Sequence, residues 1–337
     1  MGDEFIIIKE IYGGERIVKI LFMLRDPFYE AYPTFIEAAR ELGEVETLYP
    51  DRGIEKAEII KEIANTDILV VAKVKIDKEV IDAGARLKYI IKYGAGYDNI
   101  DIDYAYEKGI AVTNSPGQNA ESVADNVFGL MLATSRNITK KDHEMKSNHW
   151  ELSVGHEIYM KKIGIIGFGA IGKAVAKRAM GFSMEAIAYG HYLDPLAAKE
   201  LNVRFVTLEE LLTTSDYIII STSLTEKNKG LINQNTIRLM KRSAYIINVS
   251  RGGLINEVDL MEALNQKQIK GAGLDVFSAE PPQNALPLLD NVVATPHIGG
   301  ATYEALVRMA DVTMTNIKRY LAGEELLYRV YPQEVRK

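Results

Sequence analysis

Apolar residues fall into two alternating patterns along this chain. Short runs of mostly apolar residues recur at Ile17–Met23, Val45–Leu48, Ile68–Ala72, Tyr89–Lys92 and Ile110–Thr113. Between them lie stretches with apolar residues three and four apart, such as Pro33–Leu42, closed by Gly43, and Ile54–Ala64. Runs that are apolar throughout predict strands covered on both faces, and the alternation predicts a parallel sheet between layers of helix. Ahead of these, two β-rich runs flank Tyr12-Gly13-Gly14-Glu15, where a hairpin is expected.

The pattern breaks after the loop Asn114–Gly117. Ala120–Thr134 reads as a long helix whose apolar face includes Val123, Val127, Leu130 and Met131, and Ser135–His156 is polar, with no strand. The alternation then resumes, with strands expected at Ile163–Ile166, Ala186–Tyr189, Tyr217–Ile220, Ala244–Val249, Gly273–Val276 and Val292–Ala294. Helices fall between, for instance Leu208–Leu212 and Glu257–Asn265. A last helix, Tyr303–Leu321, is closed by Gly323 and is expected to cross back to the first half. The pattern therefore predicts an α/β fold with two doubly wound parallel-sheet domains. One is built from residues 1–114 and 301–337, and the other from residues 115–300 is inserted in it.

Composition narrows the classes. With 337 residues the chain is long enough for two cores, and 47% hydrophobic and 26% charged residues are ordinary for a globular protein. A net charge of -6 argues against a nucleic-acid surface. The absence of cysteine removes disulfides, thiolate metal sites and cysteine nucleophiles, and the histidines form no ligand pair, so no metal is expected. No stretch approaches the ~20 apolar residues of a membrane span, and the expected location is the cytoplasm.

The segment Lys162–Arg178 joins an apolar run to Gly167, Gly169 and Gly172 in G-x-G-x-x-G spacing, then to a helical pattern. Strand, glycine turn and helix in that order are the context of a dinucleotide site. The first glycine permits the turn, the second lets the backbone approach a pyrophosphate, and the third lets helix and strand pack closely. The helix start offers free N–H groups and the positive dipole end.

Three later strands are each followed by a chemically suggestive residue: Arg251, Glu280 and His297. In a parallel sheet the carboxyl ends of the strands share one edge, which places all three beside the glycine turn. Histidine titrates near neutral pH and can exchange the proton of a hydroxyl or carbonyl oxygen. A carboxylate can orient that ring, and a guanidinium can hold a substrate carboxylate and polarise a carbonyl. Singly, each has a plainer reading as a surface charge or a turn cap. Together on one edge they suit hydride transfer between a nicotinamide and a small 2-hydroxy or 2-oxo acid.

The motifs GIIGFGAIG from Gly164, INVSRGGLINE from Ile247, GAGLDVFSAEPP from Gly271 and TPHIGGAT from Thr295, with YGAGYDNID from Tyr93 and VTNSPGQNAESVAD from Val112, resemble the D-isomer-specific 2-hydroxyacid dehydrogenases over nearly the whole chain. The resemblance implies a Rossmann cofactor domain inserted in a flavodoxin-like substrate domain. It implies catalytic roles for Arg251, Glu280 and His297, and NAD or NADP as cofactor, with NAD favoured. Cofactor contacts are implied for Gly167, Gly169, Ala170, Ile171 and Gly172 in the glycine turn. Further contacts are implied for Gly190, His191, Thr222 and Val249 at strand ends, with Asp275 near the nicotinamide. Ala95 and Gly96 are implied to bind the substrate carboxylate, alongside Arg251. The substrate class would be hydroxypyruvate, glyoxylate or 3-phosphoglycerate, and the assembly a homodimer with the Ala120–Thr134 helix at its interface. A second reading is a nucleotide-sensing corepressor-like binding protein of the same fold.

The chain departs from that pattern where an acid usually ends the second cofactor-domain strand: it reads Gly190-His191-Tyr192, with Asp194 a few residues late. A grip on the ribose hydroxyls is then missing, and so is the repulsion of a 2′-phosphate. After Tyr217–Ile220 the segment Ser221-Thr222-Ser223 replaces a usual proline. Lys92 is expected as a solvated strand-end lysine or to face a substrate phosphate, and Trp150 to line a substrate pocket or pack in a core.

Overall fold

Two sheets, each wholly parallel, organise the residues that the structure describes, 17–335 of this computed structural model. The hairpin expected about Tyr12–Glu15 lies outside them. The first sheet contains β1 (Lys19–Met23), β2 (Glu44–Leu48), β3 (Ile68–Val71), β4 (Tyr89–Lys92) and β5 (Ala111–Thr113), in the order β2-β1-β3-β4-β5. The second contains β6 (Lys162–Ile166), β7 (Glu185–Tyr189), β8 (Val203–Phe205), β9 (Tyr217–Ile220), β10 (Tyr245–Asn248), β11 (Gly271–Leu274) and β12 (Val292–Ala294). Its order is β12-β11-β10-β9-β6-β7-β8. These are the flavodoxin-like and Rossmann strand orders, the second carrying one extra strand.

Burial explains why the strands read as unbroken apolar runs. Every residue of β3, β4, β9 and β10 is buried. Alternate residues serve opposite faces: in β9, Tyr217 and Ile219 join one core, and Ile218 and Ile220 the other. Strand β8 is not evident in the sequence. It is an edge strand of three residues in which only Val203 is fully buried.

The chain forms two compact units. The described residues up to Asn119 form one together with those from Thr302 on, and Ala120–Ala301 form the other. Residues 114–119 stay with the first unit through hydrogen bonds. The Asn114 N–H donates to the Tyr328 carbonyl at 3.3 Å, and Arg308 Nε donates to the Gln118 carbonyl at 2.8 Å. The helix Tyr303–Leu321 supplies Leu306, Met309 and Ile317 to the same core as Ile20 and Phe22.

The helix Ala120–Arg136 uses its apolar face inside its own unit: Val123, Val127, Leu130 and Met131 are all buried in one core with Ile163 and Val175. That face therefore offers nothing to a partner. The polar stretch beyond it contains a further helix, Ile138–Lys146, with no buried residue. Lacking an apolar stripe, it left no periodicity to read. Trp150 neither packs in a core nor lines an enclosed pocket within its unit, being 86% exposed.

The amino-terminal edges of the two sheets are closed alike. Asp67 accepts the Lys19 N–H at 2.9 Å and pairs with Arg86; Asp216 accepts the Lys162 N–H at 2.9 Å and pairs with Lys241. Each aspartate thus satisfies the first donor of the neighbouring strand. Among the described residues, no helix is long and apolar enough to cross a membrane.

Candidate functional site

The register of the second sheet puts its strand ends in one row. Tyr189, Ile166, Ile220, Asn248, Leu274 and Ala294 are successive side-by-side partners across β7, β6, β9, β10, β11 and β12. Gly190, Gly167, Asp275, Arg251 and His297 lie one to three residues beyond this row. The strand order reverses between β6 and β9, so the crevice of an open α/β sheet falls at the glycine turn.

Three glycines with one letter have three physical causes. Gly167 has φ +98°, and a Cβ there would lie 2.7 Å from the Thr222 nitrogen and 2.8 Å from its Cα. Its N–H donates to the Tyr189 carbonyl at 2.8 Å, and its carbonyl accepts the Ser221 hydroxyl at 2.8 Å. Ser221 thereby ties the turn to the end of β9. At Gly172 a Cβ would run into the Gly167 carbonyl and lie 3.1 Å from Ile165 Cγ2, so this glycine sets the approach of helix to strand. Gly169 differs: its φ is −82°, and a Cβ would meet nothing within 4 Å. Among the described residues, nothing demands glycine there. The cleared space lies at the start of the 12-residue helix Ala170–Gly181, which no side chain caps. Backbone N–H groups at Ala170 and Ile171 beside a cleared surface fit a pyrophosphate.

Gly190 follows β7 and flanks this turn. A Cβ on it would sit 3.7 Å from Gly167 Cα and from the Phe168 nitrogen, ordinary contact, so a Cβ fits. His191 beside it is exposed. Asp194 does not stand in for the missing acid. One carboxylate oxygen accepts the Ala197 N–H at 3.1 Å as a helix cap, and the other holds Lys173 at 2.5 Å. The Lys173 ammonium holds its carboxyl below the usual range.

Thr222 and Val249 lie just beyond the ends of β9 and β10. The Thr222 carbonyl accepts the Ser250 hydroxyl, and Val249 is buried in the core beneath the turn. The loop carrying Arg251 is braced by Asn248, which sequence reasoning did not single out. This residue is 1% exposed; its Oδ1 accepts the Ser250 N–H at 3.1 Å and its Nδ2 donates to the Arg251 carbonyl at 3.0 Å. Its one signal was an amide in an otherwise apolar strand. Arg251 Nη1 donates to the Ser250 carbonyl at 2.7 Å. At the next residue, Gly252, a Cβ would fall onto the Phe277–Ser278 peptide, so the Arg251 loop touches the loop leading to Glu280.

Glu280 and His297 meet directly. His297 Nδ1 lies 2.9 Å from Oε2 and 3.1 Å from Oε1, and the Phe277 N–H donates to Oε1 at 3.3 Å. A carboxylate only accepts, so Nδ1 carries the proton and Nε2 is left to exchange one. The carboxylate side chain is 19% exposed and the ring 38%, which shields the pair on one side and leaves the ring reachable. Asp275, 1% exposed, accepts the Thr295 hydroxyl and the Ile298 and Gly299 N–H groups.

In the first unit, Tyr93–Asn99 follows β4. The Gly94 carbonyl accepts the Ser115 N–H at 2.9 Å, and the Ala95 carbonyl accepts Asn114 Nδ2 at 2.6 Å. Lys92 is not solvated as expected. It is buried, with Nζ on the Ala72 carbonyl and, at 2.7 Å, on Asn99 Oδ1, so it fastens both ends of this loop.

Comparison with known proteins bears on the whole chain. Residues 128–299 match the family model "D-isomer specific 2-hydroxyacid dehydrogenase, NAD binding domain". A glyoxylate reductase of Thermococcus kodakarensis is 40% identical over 300 residues, covering 86% of this chain and 90% of that protein. A hydroxypyruvate reductase of Thermotoga maritima is 44% identical over 264 residues, covering 76% and 85%. Among solved structures, D-lactate dehydrogenase from Aquifex aeolicus, complexed with NAD and lactic acid, superposes with a TM-score of 0.79 at 28% identity, covering 90% of this chain and 96% of that one. The chain belongs to the D-isomer-specific 2-hydroxyacid dehydrogenases, NAD(P)-dependent oxidoreductases acting on CH–OH groups.

Proposed function

We propose that this protein reduces a small 2-oxo acid of the glyoxylate or hydroxypyruvate kind to the D-2-hydroxy acid, and runs the reverse oxidation. The observation that carries this reading is the Glu280–His297 pair at 2.9 Å, on the edge that also bears Arg251 and the glycine turn. The substrates named for relatives at 40% and 44% identity support the substrate class. When bound, the nicotinamide cofactor supplies or accepts the hydride. His297 Nε2 gives the substrate oxygen its proton during reduction and takes it back during oxidation, while Glu280 accepts the Nδ1 hydrogen bond and so fixes the ring's orientation. Arg251 holds the substrate carboxylate and polarises the carbonyl. The amides of Ala95 and Gly96 take a substrate carboxylate, since both neighbouring carbonyls are turned to Asn114 and Ser115. A panel of 2-oxo acids, followed by nicotinamide absorbance, tests the proposal. Glyoxylate and hydroxypyruvate should be turned over fastest, and no turnover of any 2-oxo acid would sink it.

Gly169, Ala170, Ile171 and Gly190 hold the cofactor. Gly190 supplies no carboxylate for a ribose hydroxyl, and Asp194 is committed to Ala197 and Lys173. NADH and NADPH should therefore differ by less than about tenfold in kcat/KM, a gap of ~1.4 kcal/mol, with NADH ahead. Gly190→Asp, whose Cβ makes only ordinary contacts, should widen that gap by at least about tenfold in favour of NADH. An unchanged ratio would show that residue 190 does not face the ribose.

Two copies pair through the segment Ile138–Met160. Trp150, Leu152 and Val154 there are 86%, 97% and 89% exposed, an apolar run that a partner would cover. Sedimentation should give twice the chain mass, and Leu152→Asp should shift it to the monomer. A wild-type monomer at micromolar concentration would refute the pairing.

A further inference from the structure

His297 has an uncommon backbone conformation. Its φ is +57°, in the left-handed region that residues with a Cβ seldom occupy. Such a conformation persists only where its surroundings over-determine it. Here the neighbours on both sides of His297 converge on one carboxylate. Asp275 Oδ1 accepts the Thr295 hydroxyl at 2.6 Å and the Ile298 N–H at 2.9 Å, and Oδ2 accepts the Gly299 N–H at 2.8 Å. The turn is closed within itself by the His297 N–H, which donates to the Thr295 carbonyl at 3.0 Å. There is no slack on the far side either. A Cβ on Gly299 would lie 2.8 Å from Asp275 Oδ2 and 3.3 Å from Asn126 Nδ2, so the turn is drawn down onto the carboxylate.

We infer that Asp275 is a positioning residue for His297: its carboxylate fixes the Thr295–Gly299 turn, and that turn aims the imidazole so that Nδ1 meets Glu280. The inference rests on the proposed role of His297. It is separate from a role for Asp275 in touching the bound nicotinamide, since the three donors act on the turn that carries His297. An amide in place of the carboxylate keeps the shape but sets an NH2 group against the Thr295–Gly299 donors, so one bond becomes a repulsion.

The experiment is a double-mutant cycle on the whole enzyme, reading kcat and the KM for reduced cofactor in Asp275→Asn, His297→Ala and the double variant. Positioning through His297 predicts that Asp275→Asn lowers kcat at least about tenfold with cofactor KM changed less than about threefold, and that it removes less than about twofold more once His297 is already alanine. Equal losses in the two backgrounds, or a loss confined to cofactor KM, would overturn the inference while leaving the role of His297 intact. Near-normal kcat in His297→Ala would remove that role itself, and this inference with it. Thr295→Val, which deletes one of the three donors and keeps the carboxylate, is carried through the same cycle. If Asp275→Asn does not fold, Thr295→Val decides: a loss that vanishes in the His297→Ala background supports positioning, and an equal loss in both overturns it.

Discussion

Replacing His297 by alanine should lower kcat for 2-oxo acid reduction by at least ~100-fold, the scale of losing a general acid–base group. The ring is the group on this edge whose second nitrogen is left to exchange a proton, because Nδ1 is committed to Glu280 at 2.9 Å. Arg251 cannot replace it, since a guanidinium carries only donors and no acceptor. Cofactor binding should persist, because the glycine turn lies on other strands. Glu280→Gln should give a smaller loss. The amide oxygen can still accept the Nδ1 hydrogen bond, but the charge that strengthens that bond is gone. Steady-state kinetics with saturating cofactor checks both, and a His297→Ala enzyme within a few-fold of the parent would discard the proton-transfer role.

Gly252→Ala should be the most damaging single methyl group at this edge. The added carbon would land on the Phe277–Ser278 peptide, which is backbone and cannot rotate away. Overpacking of this kind costs about 1–3 kcal/mol, and relief requires the Arg251 loop and the Glu280 loop to separate. Loss of stability and a raised KM for the 2-oxo acid should therefore appear together, seen in denaturant midpoints and initial rates. Gly253→Ala supplies the contrast. Its Cβ would meet Leu224 Cδ2 at 3.0 Å, the end of a flexible side chain that can move. Equal effects from the two neighbours would show that the two loops are not locked by this contact.

These cases show what a linear sequence carries. Strand interiors were legible because parallel strands buried on both faces are apolar throughout, as in Ile68–Val71 and Tyr217–Ile220. The common edge for Arg251, Glu280 and His297 followed from strand direction alone. Features that depend on register were not legible. The convergence of Thr295, Ile298 and Gly299 on Asp275 requires Leu274 to pair with Ala294, which no local pattern encodes. Elements without a buried stripe were equally silent, as in the helix Ile138–Lys146. Lys92 was misjudged for a related reason. A lysine at a strand end is ordinarily wet, and only the tertiary fold supplies the Ala72 carbonyl and Asn99 that enclose it.

The helix Tyr303–Leu321 imposes an order of events on synthesis. The unit holding Ala120–Ala301 is one unbroken stretch, so all its strands and helices are present once that stretch has left the ribosome. The other unit has its five strands much earlier, yet one face of its sheet lacks Leu306, Met309 and Ile317 until the last helix emerges. The Tyr93 hydroxyl, which donates to the Leu306 carbonyl at 2.7 Å, also waits for its partner. The half translated first is therefore the half completed last, and for the time it takes to make some two hundred residues its apolar face is a natural client for chaperones. Protease sensitivity of stalled nascent chains should fall in two steps, with the amino-terminal half protected in the second.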